Sequence, residues 1–175
     1  MSIVYSLRII LFQSVQTDGY GYYSMKSDLS AVRFVQISFP AEYEINAVDG
    51  KPCGYKRVAR YQKAVMADFV LTPRKSPSDK YTMLMIADPQ MRPFGVDNSA
   101  EAYKNSVIPD AEAFRQQCGD ECYSIELGDL VYNFMTAYDD YMDITAGLKC
   151  PTFNVMGNHD YDQTTMYDSE LGAVY

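Results

Sequence analysis

The sequence predicts an α/β domain of β-α-β-α-β order, preceded by a small all-β, sandwich-like domain. Three observations predict it. Before about position 72 the residues form short, nearly alternating segments broken by turn residues, as half-buried antiparallel strands do. Beyond position 80, continuous apolar runs alternate with stretches of helical spacing, the pattern of parallel strands joined by helices. Between the two lies a stretch with Pro73, Ser76, Pro77 and Ser78 and no apolar face, which reads as a linker. The expected organisation is therefore a β domain over 1–72, a linker over 73–80 and an α/β domain over 81–175.

In the first domain, Thr17-Asp18-Gly19 signals a turn before an aromatic-rich strand over 20–25. A polar turn is expected over 26–30. Residues 32–39 alternate and stop at Pro40, Asp49-Gly50-Lys51-Pro52 marks another turn, and 67–71 reads as a closing strand. This is a small antiparallel sandwich pattern, expected to be incomplete at its N-terminal edge. Residues 1–12 are mildly apolar but contain Arg8 and lack a small-residue cleavage pattern, so they make a poor signal peptide.

In the second domain, 81–87 is a continuous apolar run that reads as a strand covered on both faces. Residues 99–107 and 110–118 are helix-like, with Pro109 suited to a first helical turn and Gly119 to a C-terminal cap. A second buried strand is expected over 122–127. Phe134, Tyr138, Tyr141, Met142 and Leu148 recur at helical spacing, with Asp139, Asp140 and Asp143 on the other face. Residues 152–156 form a third strand.

Lys plus Arg number 15 against 23 for Asp plus Glu, a formal charge of -8. That balance repels nucleic-acid backbones and anionic membranes, so no nucleic-acid-binding surface is expected. No apolar run reaches the ~20 residues of a membrane span. Cys53, Cys118, Cys122 and Cys150 match no paired zinc spacing and are expected as free thiols. The compartment is left open: cytoplasmic by default, periplasmic or secreted if a leader precedes the chain. Oligomeric state is equally open.

Chemistry concentrates at the strand ends. Asp88 in Asp88-Pro89-Gln90, Asp129 in Gly128-Asp129-Leu130-Val131-Tyr132-Asn133, and Asn158 in Gly157-Asn158-His159-Asp160 each follow a predicted strand. In a parallel sheet those ends share one edge, where α/β ligand sites form. Oxygen donors gathered there, with an imidazole alongside, suit hard or borderline divalent cations. Each motif alone reads as an ordinary turn; their joint order carries the reading. Asn133 suits either a supporting place beside the site or a helix cap.

That order of motifs resembles the calcineurin-like metallophosphoesterase family, with Gln90 where Asp-x-His is usual. The segment 17–25 and residues 34–43, with their Phe-Pro-Ala-Glu-Tyr, also resemble the β-sandwich domain that precedes the catalytic domain in one branch. The resemblance implies half of that family's α/β sandwich and a metal-dependent hydrolysis of phosphoric esters by a dinuclear-metal hydroxide. It implies Asp88 and Gln90 on a first metal, Asp129 bridging two, and Asn158 on the second. It further implies that His159 contacts the phosphoryl group and that Asp160 orients its ring. The cations, two in number, are manganese, iron, zinc or magnesium, and the partner is a phosphate-ester substrate.

One departure stands out. The family's later Gly-His and Gly-His-x-His motifs have no counterpart, because His159 is the one histidine in the sequence. The expectation is an incomplete fragment, inactive alone, with uncovered strand faces. An alternative is a non-catalytic, partner- or glycan-binding β-sandwich protein with a vestigial α/β region. A magnesium-holding module of the response-regulator type explains Asp88 and Asp129 but gives residues 157–160 no purpose.

Overall fold

The computed structural model describes residues 3–7 (backbone path only), 13–26, 34–59, 63–76, 80–118 and 121–161. In chain order the described strands are β1 (Ile3–Leu7), β2 (Gln13–Gln16), β3 (Phe34–Ser38), β4 (Ala47–Val48), β5 (Lys51–Pro52), β6 (Tyr55–Arg57), β7 (Thr82–Ile86), β8 (Cys122–Glu126) and β9 (Thr152–Asn154). The helices are α1 (Ser99–Ala102), α2 (Ile108–Cys118) and α3 (Tyr138–Thr145). They divide into two compact units: Met1–Asn46 with Cys53–Ser78, and Ala47–Pro52 with Asp79–Tyr175. The second unit takes in the β4–β5 hairpin, which precedes the expected boundary.

The first unit holds one antiparallel sheet of order β2-β1-β3-β6. Val35 and Ile37 alternate with exposed Gln36 and are buried with Val58 and Ala67. Tyr23, Phe69 and Leu71 pack against them. The sandwich expectation is corrected here: 20–25 and 67–71 join no ladder among the described residues. Local bonds take their place. Asp18 Oδ1 accepts the N–H groups of Tyr20 and Tyr22, each at 2.9 Å, so the turn uses donors that a strand would need. The Tyr23 hydroxyl donates to the Ala67 carbonyl. β1, which the sequence pattern did not single out, lies between β2 and β3. The turn expected over 26–30 lies outside the described residues beyond Lys26, as does Gly119.

The second unit is mixed α/β, with a parallel sheet of order β7-β8-β9. Ile86 pairs with Glu126, which pairs in turn with Asn154, so the three strands end level. The two predicted helices around Pro109 form one continuous helical run over 99–118. Residues Tyr103–Val107 adopt a π-helical turn immediately before α2. The wider turn sits where the proline ring would crowd the carbonyl four residues earlier. Asp49 and Gly50 both have positive φ (50° and 76°), as a two-residue hairpin turn between β4 and β5 requires. The Gly50 carbonyl accepts the Thr152 N–H at 2.8 Å.

Helices cover one face of this sheet. Met91, Leu130, Val131, Tyr141 and Leu148 are fully buried in its core. Glu126 points into the same core, fully buried, and accepts the Tyr103 hydroxyl at 3.0 Å. On the opposite face Met83, Met85, Leu127, Phe153 and Val155 are all substantially exposed. Residues of alternate parity thus divide between the helix-covered core and an exposed apolar side, as the two faces of a strand do. None of the four cysteines forms a disulfide. No described helix is long and apolar enough to cross a membrane.

Candidate metal centre

The three strand ends continue as neighbours beyond the sheet. Gln90 N–H donates to the Asp129 carbonyl at 2.8 Å and Met91 N–H to that of Leu130 at 3.1 Å. Gln90 is thereby laid beside Asp129, its Nε2 3.5 Å from Asp129 Oδ2. The loop after β9 arrives from the other side. His159 N–H donates to Asp129 Oδ1 at 3.0 Å, and Asn133 N–H to the His159 carbonyl at 3.1 Å.

Glycine makes that approach possible. A Cβ on Gly157 would lie 2.1 Å from Asp129 Oδ1 and 2.2 Å from its backbone nitrogen. No side chain fits there. Gly128, at φ +93°, faces the same spot, its absent Cβ 3.1 Å from Gly157 Cα.

Asp88, Gln90, Asp129 and Asn133 all adopt left-handed backbone, with φ of 49°, 45°, 49° and 58°. Each such non-glycine residue costs about 1–2 kcal/mol relative to ordinary conformations, although Asp and Asn tolerate it best. Backbone strain of this kind persists only where surrounding structure imposes it, and it clusters at working sites. Three of the four predicted metal ligands carry it.

Asp160 has a different place from the one expected. Its fully buried carboxylate accepts Val131 N–H at 3.0 Å and Gly157 N–H at 2.8 Å. It ties the loop after β9 to the one after β8. The His159 ring is met instead by Asn133, whose Oδ1 lies 2.9 Å from Nδ1. The next helical turn begins after Phe134 without a side-chain cap. The His159 ring also stacks on Tyr132, with centroids 4.4 Å apart and planes 23° apart. The Arg92 guanidinium carbon lies 4.5 Å from that same tyrosine centroid, and Arg92 Nη1 bonds Asp97 Oδ2 at 3.1 Å.

Tyr132 and Arg92 were not legible as site residues. The one signal for Tyr132 was its place three residues beyond Asp129. Asp88 and Asn158 are both exposed. Asp88 lies two residues beyond β7, and Asn158 stands between the two residues that contact Asp129.

Among the described residues no group of three or more His, Cys, Asp or Glu side chains is arranged to hold a metal ion. The candidate set here is of another composition, two carboxylates (Asp88, Asp129) with two amides (Gln90, Asn158). Each Asp129 oxygen has an amide neighbour and retains a further acceptor position. Oxygen donors of this kind suit a hard cation completed by water; of the four, Gln90 and Asp129 are brought into side-chain contact. A second cation would require ligands these residues do not include. Comparison with family models, with curated proteins and with solved structures gives no match to this chain.

Proposed function

We propose that the α/β unit carries the strand-end part of a metal-dependent phosphoric-ester hydrolase site. One observation supports this reading above the others: Asp129, in left-handed backbone, is gripped between the Gln90 loop and the Gly157–Asp160 loop at the C-terminal edge of a parallel sheet. Asp88, Gln90, Asp129 and Asn158 would hold a divalent cation. When bound, the metal supplies an acidified water and charge neutralisation at the phosphoryl group.

The protein's own groups do the rest. His159 is oriented by Tyr132 and by Asn133 at Nδ1, which leaves Nε2 as the ring nitrogen to meet a phosphoryl or leaving-group oxygen. Asp160 fixes the loop that bears it. Two carboxylates formally balance one divalent cation, and the two neutral amides add no further negative charge to oppose an anionic ester.

The test is calorimetric titration of manganese into the full chain and into Asp129→Ala, with bis-p-nitrophenyl phosphate hydrolysis followed in parallel. Saturable binding is expected, weakened at least about tenfold by the substitution, and the chain alone is expected to give no turnover. Unchanged manganese binding in Asp129→Ala would remove the reading. Turnover by the chain alone would show that its donor set is sufficient.

A further inference from the structure

Three of the four cysteines gather where β8 and β9 begin, at the sheet edge away from the candidate site. Cys122 opens β8, and Cys150 stands two residues ahead of β9. Ser124 pairs with Thr152, and its N–H donates to the Pro151 carbonyl at 2.9 Å. Carrying that register back along both strands sets Cys122 beside Cys150. Neighbouring strands run about 4.7–4.9 Å apart, inside the roughly 4.4–6.8 Å between Cα atoms that a disulfide spans. The side chains agree with the backbone. The two thiols are hydrogen-bonding neighbours, and both residues are buried, 2% and 6% exposed.

A pair so placed reacts slowly unaided. Burial, with the charge of Cys122 added to it, raises the Cys150 pKa to about 11, and burial raises that of Cys122. The thiolate, not the thiol, is the nucleophile. Two neighbours work against this inertness. The Arg115 guanidinium lies close enough to oppose both shifts, and it is held by Glu112, whose carboxylate oxygens accept Nε at 2.6 Å and Nη2 at 2.8 Å. Cys118 ends α2, is partly exposed, and its charge is felt at Cys122. The three sulfurs thus lead from the surface to the core, with Cys122 between its two partners.

We propose that Cys118, Cys122 and Cys150 form a thiol–disulfide exchange site, in which a low-molecular-weight disulfide reacts at Cys118 and oxidation ends as a Cys122–Cys150 bond. The Cys118 thiolate attacks one sulfur of the small disulfide, forming a mixed disulfide and releasing a small thiolate. Cys122 attacks Cys118 Sγ, and the second small thiolate leaves. Cys150 then attacks Cys122 Sγ and returns Cys118 as a thiolate. The protons of Cys122 and Cys150 pass through solvent to the departing thiolates. One small disulfide is thereby reduced to two thiols while two protein thiols are oxidised. The bond clamps the start of β8 to the lead into β9, the strands whose far ends precede Asp129 and the Gly157–Asp160 loop. The inference stands apart from the metal reading of that far edge.

The experiment treats the full chain with oxidised glutathione, digests timed samples without reduction and maps the linked peptides by mass spectrometry. Urea unfolding is followed before and after. The exposed Cys53 serves as the reference for simple mixed-disulfide formation. The expected end product is the Cys122–Cys150 link, with an unfolding midpoint that rises and is restored by dithiothreitol. Cys118→Ser, a partly exposed change, is expected to slow the link at least about tenfold, and Cys150→Ala to stop the reaction at Cys118 and Cys122. Glutathione resting stably on Cys118 or Cys122 of the native chain, a Cys118–Cys122 bond as the end product, a link that forms only in urea, or an unchanged rate in Cys118→Ser overturns the proposal.

Discussion

Replacing Glu126 with glutamine tests the polar core beneath the candidate site. Glu126 is fully buried in the α/β unit, and burial raises its pKa from an ordinary 4.5 to about 7, against a smaller opposing effect of the Tyr103 hydrogen bond. Between those two values the folded chain keeps a proton that the unfolded chain releases. Stability contributed by the protonated group is therefore fully present below pH 4.5 and is lost as pH rises through about 7. At about 1.4 kcal/mol per pH unit, the loss across the window is about 3 kcal/mol. Glutamine keeps an acceptor for Tyr103 and removes the titration.

The assay is urea unfolding followed by helical circular dichroism, because every described helix belongs to this unit. From about pH 4.5 to about pH 8 the native chain should lose about 3 kcal/mol relative to Glu126→Gln. Parallel pH profiles for the two proteins would refute the reasoning.

Three other outcomes are expected. Gly157→Ala forces a methyl group against the Asp129 backbone nitrogen, 2.2 Å away; it should destabilise the unit by about 1–3 kcal/mol, read from the same urea curves. Asp160→Ala strands the Val131 and Gly157 N–H groups and should cost about 3 kcal/mol, whereas Asp160→Asn should recover part of that loss. Met85, 68% exposed on the sheet face away from the helices, can be changed to lysine with a stability change within about 0.5 kcal/mol. Met85→Lys should lower binding of a hydrophobic dye and reduce self-association in light scattering.

The α/β unit was legible because each of its elements carries its own signal. The runs at 81–87 and 122–127 are apolar enough to need burial, and Tyr141 with Leu148 marks one helical stripe. The first unit was less so. Residues 67–71 alternate like a strand, but a strand is defined by its partner, and there a tyrosine hydroxyl meets a carbonyl instead.

The site divides in the same way. Strand-end placement announced Asp129 and Gln90, since spacing alone sets which residues leave a sheet together. The exchange of roles between Asp160 and Asn133 depended on left-handed backbone at Asn133, which turns its side chain toward His159. Nothing in the spacing of Gly157-Asn158-His159-Asp160 encodes that turn.

The exposed apolar side chains of β7 and β9 have a consequence for affinity. These strands deliver the donor atoms, and side chains left loosely packed make it costlier in entropy to hold those atoms still. A layer resting on Met83, Met85 and Phe153 would quiet the strands and so tighten the grip on an ion at their tips. By reciprocity, an ion there would strengthen attachment of the layer by the same factor.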